Sequence, residues 1–298
     1  MASHPRLAPN AALALLTFLI GCGPSALGLD DTGGGDDDGK FDRASSALIM
    51  PAAIVAWQRA RSWGSKHLEW HTERRWDLLD ASNREWAQGK GWSRANLQEG
   101  APGNGLEFLA MHRGMMMMLR DQFPSQAALF AGWKTAPTDP RDRNDPLPHK
   151  ATTPFDDNML QAIDRIDNQI DSFESDDDFG LFVQTAMRPT ASNPKHRSDD
   201  PSAGIHNYLH VRFSDSSSPI NVGDPTVNLE NKRFWRLHGW IDARWSALRA
   251  ARGESADEPA YKDALDQAMQ GMDEVTRSAA AGPPDDVPDS LIDELLAL

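Results

Sequence analysis

Residues 206–210 read His-Asn-Tyr-Leu-His, "HNYLH", and residues 66–71 read "KHLEWH". Each stretch holds two histidines four positions apart, in a chain of 298 residues with nine histidines in all. On an α-helix, side chains at i and i+4 leave one face in line, so either pair can bring two imidazoles to one ion. Each pair is followed by a single histidine in an apolar helical pattern: His112 in "FLAMHRG" (108–114) and His238 in "FWRLHGWIDARW" (234–245). A lone histidine on an apolar helix is more often a satisfied core residue, and one His-x-x-x-His pair arises readily by chance. Repetition of the whole layout is what points to metal.

Neutral imidazole is a good ligand for copper, zinc, nickel and iron, and three of them leave a position open for oxygen or substrate. Two threes facing each other from four helices make a dinuclear site. The Glu-x-x-His pattern of a di-iron bundle is missing, since Glu73 and Glu107 do not stand at that spacing. Of the other histidines, His4 lies near the start, and His149 and His196 lie in polar loop sequence.

Around these stretches the chain reads as mainly α-helical, with long polar loops and no strand-like alternation. Helical patterns cover residues 46–80, with Gly64 as the expected break, then 105–122, ending before Phe123-Pro124. Further ones cover the region of "DDNMLQAIDRIDNQIDSF" (156–173), residues 203–213 and residues 232–252. The acidic run Asp176 to Asp178 is expected to be a solvated helix start. After Gly253 come one more helix, an Ala/Gly/Pro break over 278–288 and a short amphipathic end, "DSLIDELLAL". Met115 to Met118 point in four directions on a helix, so core filling is expected of them rather than ligation. The ten tryptophans are expected to serve mostly in the core.

The amino-terminal residues belong to no core. Arg6, the apolar run Ala11 to Ile20 and then Gly21-Cys22 have the layout of a secretory signal, too short to span a bilayer. Leu19-Ile20-Gly21-Cys22 resembles the lipobox of bacterial lipoproteins, which implies cleavage before Cys22 and acylation of its thiol. The expected organisation is a lipoprotein-type signal over 1–21, a disordered Gly/Asp-rich tether over 22–40, and a helical domain over 41–298 with its core at about 45–252. Such a chain is exported and membrane-anchored, at a periplasmic or cell surface. Cys22 is the only cysteine, which excludes intramolecular disulfides and Cys-based zinc sites. A net charge of −14 argues against nucleic acid and anionic lipid as partners, leaving the lipid anchor as the membrane contact.

"HNYLH" with the later "FWRLHGWIDARW" resembles the second copper-binding motif of tyrosinases and haemocyanins, the type-3 copper proteins. "FLAMHRG" is similar to the FLxWHR motif at a ligand of the first copper. The resemblance implies His206, His210 and His238 as ligands of the second copper and His112 as one ligand of the first. It makes Asp242 a group supporting the ligands, Phe234 a ring packed beside the metal pair, and Asn207 a water-holding residue able to help deprotonate a phenol. Tyrosinases carry another histidine where this chain has Gly103; His67 and His71 can supply the first copper's remaining ligands, as a His-x-x-x-His does in arthropod haemocyanins. The double His of the family is here Leu237-His238, its Asp-Pro is Asn231-Lys232, and the Glu that partners the Asn falls near Arg197. The thioether-forming Cys of some members has no counterpart.

What the resemblance implies is an oxidase with two copper ions per chain, turning phenols or catechols into quinones with O2, with a copper-loading helper protein among its candidate partners. Two other readings stand beside it: a surface lipoprotein that binds copper or oxygen without turnover, and a mononuclear metal binder with only the second site loaded.

Overall fold

The computed structural model describes residues 48–139, 154–185, 198–214, 220–273, 284 and 286–296, all within one unit running from Gly39 to Leu298. The signal, the tether, Cys22, His149, His196 and Arg197 lie outside the described residues. Ten α-helices and no strand occur among those described; Ile49 and Asn231 form an isolated antiparallel bridge. The helices are α1 (Ala52–Arg59), α2 (Trp63–Arg74), α3 (Ala81–Gly89), α4 (Asn104–Gln122), α5 (Asp157–Asn168), α6 (Asp176–Gln184), α7 (Ile205–Phe213), α8 (Lys232–Arg252), α9 (Pro259–Asp273) and α10 (Asp289–Leu296).

Local chemistry sets most of the ends. The Asp156 carboxylate accepts from the backbone N–H groups of Asn158 and Met159 at the start of α5, and Ser175 Oγ accepts from Asp178 N at the start of α6. Gly253 closes α8 in the left-handed conformation, φ 67°. α4 stops at Phe123 because Pro124 cannot continue it.

The break between α1 and α2 falls at Ser62, not at Gly64. Ser62 takes φ 53°, and Gly64 sits in the first turn of α2. That conformation costs a residue with a β-carbon about 1–2 kcal/mol. It is offset by Trp63, whose ring is fully buried and whose Nε1 donates to the Met272 carbonyl at 3.1 Å. Helix α3 carries too few apolar residues to announce itself in sequence. It forms because Asp80 accepts from Asn83 N at 2.8 Å and because Ala87 packs into a cluster with Leu68, Leu79, Leu291 and Leu295.

α4 is the axis of the fold, with both neighbours α6 and α9 laid against it and α8 across it. At the α4–α6 crossing the backbones touch: a β-carbon on Gly180 would lie 2.1 Å from the Gly105 carbonyl oxygen, and one on Gly105 2.1 Å from that of Asp177. Met115 and Met116 are fully buried, while Met117 and Met118 pack against different core clusters, so the methionine run is core. Trp63, Trp235, Trp240 and Trp245 are fully buried.

Two expectations change. The acidic run begins a helix but is not solvated: Asp176 pairs with Arg249, and Asp177 accepts from Gly103 N at 2.8 Å and Leu106 N at 3.2 Å, capping α4 from its neighbour. The core also continues past residue 252, because Leu265, Met272, Leu291 and Leu295 of the last two helices are buried.

Gly180→Ala is therefore expected to cost about 3 kcal/mol or more, since backbone rather than a movable side chain blocks the methyl. Gly271→Ala, inside α9 with nothing within 4 Å of the added carbon, is expected to gain about 0.5–1 kcal/mol. Thermal or urea unfolding of the two variants checks the contrast.

Candidate metal centre

Four helices converge their histidines. α2 contributes His67 and His71, α4 His112, α7 His206 and His210, and α8 His238. Five of the six are buried, and His71 is partly exposed. Ligand atoms of His67, His71 and His112 lie within 4.8 Å of one another, and so do those of His112, His206 and His238; each set can hold a metal ion. His112 belongs to both. His210 stands beside the second set, its ring 4.6 Å from that of His206 and 5.4 Å from that of His238.

The backbone decides which nitrogen of each ring carries the proton. A carbonyl oxygen only accepts, so a ring nitrogen facing one must be an N–H. His112 Nδ1 donates to the Phe108 carbonyl at 3.0 Å and His238 Nδ1 to the Phe234 carbonyl at 2.8 Å, each one turn back on its own helix. His210 Nδ1 donates to the Val222 carbonyl at 2.7 Å, and His67 Nδ1 faces the Pro225 carbonyl at 3.5 Å. His206 Nδ1 donates to Asn207 Oδ1 at 2.9 Å.

Protons so placed leave the Nε2 atoms as bare lone pairs. Nε2 of His206 and of His238 face each other at 3.1 Å, a hydrogen-bond distance with no hydrogen to share. His112 Nε2 is buried with no partner. The His67–His71 contact, 3.2 Å between Nε2 atoms, is different, because His71 can present an Nε2–H to His67.

A proton is the simplest cation that would relieve such contacts, and burial opposes it. Desolvation, reinforced by neighbouring imidazoles, holds His71, His112, His206 and His238 well below the usual histidine range. Burial, with His210 nearby, pushes His67 down to about 3, and burial pushes His210 down to about 4. The arrangement is a largely buried set of neutral nitrogen donors that stays neutral and available to a soft or borderline metal cation.

The supporting residues divide differently from the resemblance. Phe234 is fully buried with its ring 3.9 Å from that of His238 and 5.3 Å from that of His67, so it packs among the imidazoles. Asp242 touches no imidazole. It pairs with Arg113, whose guanidinium also donates to Ser246 Oγ at 2.8 Å and the Tyr261 hydroxyl at 2.9 Å and stacks on Trp245, tying α4 to α8 and α9 next to His112. Asn207 is committed: Oδ1 to His206 and Nδ2 to the Leu295 carbonyl at 3.4 Å. It positions an imidazole. Gly103 takes φ 92° before α4, a conformation that favours glycine over the histidine of the resembled family.

The opening beside the histidines is small. A cavity of about 30 Å³ is lined by His67, His71, His206 and His210 on one side and by Leu295 and Leu296 of α10 on another. A groove of about 510 Å³ lies elsewhere, between α2, α4 and α9, and includes no histidine. The carbonyls of Val222 and Pro225 and the two tail leucines were not foreseen from sequence. A carbonyl carries no residue-type signal, and the amphipathic tail says only that it packs somewhere.

No known protein-family profile, curated protein or solved structure matches the chain.

The metal-free chain is expected to lose stability on mild acidification. Unfolded histidines bind protons near 6.5 whereas these bind them only well below that, so stability falls as pH drops from the unfolded value toward the folded ones. For His67 and His210 the loss between about pH 7 and about pH 5 is about 2 kcal/mol each. Urea titrations at the two pH values check it; bound metal should raise the stability at both without removing the loss.

Proposed function

We propose that the six histidines hold two copper ions and that the chain is a type-3 copper oxidase acting on phenols or catechols. The observation carrying the proposal is the donor set: imidazoles from four helices, Nε2 lone pairs turned toward one another, with no carboxylate or thiolate among them. Imidazole suits copper in both oxidation states without adding charge. Since His112 counts in both threes, two ions with three ligands each assign His67, His71 and His112 to one and His206, His210 and His238 to the other. Copper on both sets would supply two one-electron acceptors, matching the two electrons a catechol passes to O2 on becoming a quinone.

The protein's own part is orientation and exclusion. Carbonyls on α4 and α8 hold His112 and His238 in one tautomer, and Asn207 does so for His206. Phe234 fills the space between rings and keeps water out. The Arg113–Asp242 pair fixes α4 against α8, so that His112 cannot drift from His238.

The reading includes export as a lipoprotein through Cys22, supported by the apolar run ending in Leu-Ile-Gly-Cys ahead of an acidic, Gly-rich stretch. No described helix is long and apolar enough to cross a membrane. A second reading, copper or oxygen binding without turnover, is favoured by the small space, about 30 Å³, beside the histidines.

Purified protein is expected to bind two copper ions per chain and to consume O2 while converting a simple catechol to its quinone. His238→Ala should retain the fold, lose about one equivalent of copper and drop turnover to background rather than by half. Saturation at one copper in the wild type selects the mononuclear reading, and two coppers without turnover across a phenol and catechol panel select the carrier.

Cys22→Ser is expected to move the exported protein from the membrane fraction to the soluble one. Unchanged partitioning removes the lipid anchor.

A further inference from the structure

Trp70 has two neighbourhoods. Its ring meets the His71 ring edge-on, 4.9 Å between centroids, and stands 6.4 Å from the His112 ring. The same indole lines the groove of about 510 Å³ between α2, α4 and α9, a volume within the range of small-molecule sites. One aromatic side chain is therefore the wall shared by the histidine centre and a space that can take a substituted aromatic ring.

The wall is held in place. Arg74 stacks its guanidinium 4.1 Å from the centre of the Trp70 ring, donates to the Trp70 carbonyl at 3.2 Å and pairs with Glu107 of α4 at 2.5 Å. The groove stays open because α9 lines it with Ala260, Ala264 and Ala268, one turn apart, and then Gly271. Its outer side reaches water at Asp263 and Gln267, both exposed. Glu69, partly buried next to Trp70, also lines it, and its carboxylate accepts no hydrogen bond from any described residue. A phenolic hydroxyl is a donor that such a carboxylate can take. Electron transfer weakens steeply as the gap between donor and acceptor widens, and an indole in contact with both sides closes that gap.

We propose that the groove binds a phenolic or catecholic ring against Trp70, with Glu69 accepting from a hydroxyl, and that Trp70 carries the ring's electrons to His71 and His112. The proposal rests on the reading of the histidines as a copper centre that reduces O2. It adds a route by which a substrate is oxidised without touching the metal. Electrons and atoms balance as catechol and O2 becoming quinone and H2O2. The ring loses two electrons, passed one at a time, and two hydroxyl protons, which leave to water at the outer side of the groove. O2 gains two electrons, and two protons from water, and Trp70 ends as it began.

Four forms of the full chain test it: wild type, Gly271→Phe, Trp70→Leu and Trp70→Tyr. A ring at 271 enters the groove from a position with nothing within 4 Å of the added β-carbon, so it fills the space without a clash at the backbone. The first readout needs no metal. In equilibrium dialysis, 4-nitrocatechol should bind the metal-free wild type at one saturable site, and Gly271→Phe about tenfold or more weaker. Absence of saturable binding, or binding that ignores Gly271→Phe, overturns the groove. The second readout mixes oxidised, copper-loaded protein with saturating 4-methylcatechol without O2 and follows the loss of the Cu(II) absorption. That loss should slow about tenfold or more in Trp70→Leu at unchanged copper content, whereas Trp70→Tyr, which keeps an aromatic ring, should recover most of the rate. Equal rates in wild type and Trp70→Leu overturn the relay. If Trp70→Leu does not fold, Gly271→Phe decides, because a rate unchanged by filling the groove means that the electrons do not come through it. A chain that binds no copper loses the metal reading and the relay together, and the metal-free binding then decides the groove by itself.

Discussion

Two imidazole nitrogens, Nε2 of His206 and Nε2 of His238, face each other 3.1 Å apart with both their rings' protons spent on oxygen atoms behind them. Much of the molecule serves to hold that unfavourable contact in place. Carbonyl oxygens and one carboxamide fix the tautomers, burial keeps extra protons away, and Phe234 fills the gap that water would otherwise use. A set of buried, converging lone pairs without protons between them is costly for a protein to build. It makes physical sense as a cradle for a cation.

Holding such a cradle calls for a stiff scaffold, and α4 provides it. Its start is capped from outside by Asp177, its side is pressed to α6 through the Gly105–Gly180 contact, and its middle is tied to α8 by Arg113 and Asp242. Phe108 and His112 are thereby fixed in the chamber, with the His112 ring stacked 4.1 Å from that of His238. Ion pairs as buried as Arg113–Asp242 contribute little net stability when compared with apolar packing, but losing one partner leaves the other charge stranded. Here the pair holds two ligand-bearing helices in register.

Leu295 of α10 belongs at once to the core and to the lining of the histidine site. With Leu291 it completes the cluster around Leu68 and Ala87, and with Leu296 it lines the pocket beside the histidines. Packing of the last helix and the shape of that pocket therefore draw on one residue.

Sequence alone determined the helical class, the stopping point of α4, the core use of the methionines and the six histidines to watch, because i, i+4 spacing and apolar periodicity are local properties of a helix. It did not reach α3, whose existence depends on a cap at Asp80 and on packing against a tail some two hundred residues away, nor the turn at Ser62, which the burial of Trp63 decides over the nearer glycine. Motif likeness placed Asn207 and Asp242 near the histidines without naming what they touch. Only the tertiary structure showed Asn207 turned to His206 and the tail, and Asp242 to Arg113. The tautomers, the sharing of His112 between two sets and the placing of Leu295 and Leu296 beside the histidines were likewise decided in three dimensions. The reason is that each depends on carbonyl positions and distances between helices far apart in the chain, and a residue's identity encodes neither.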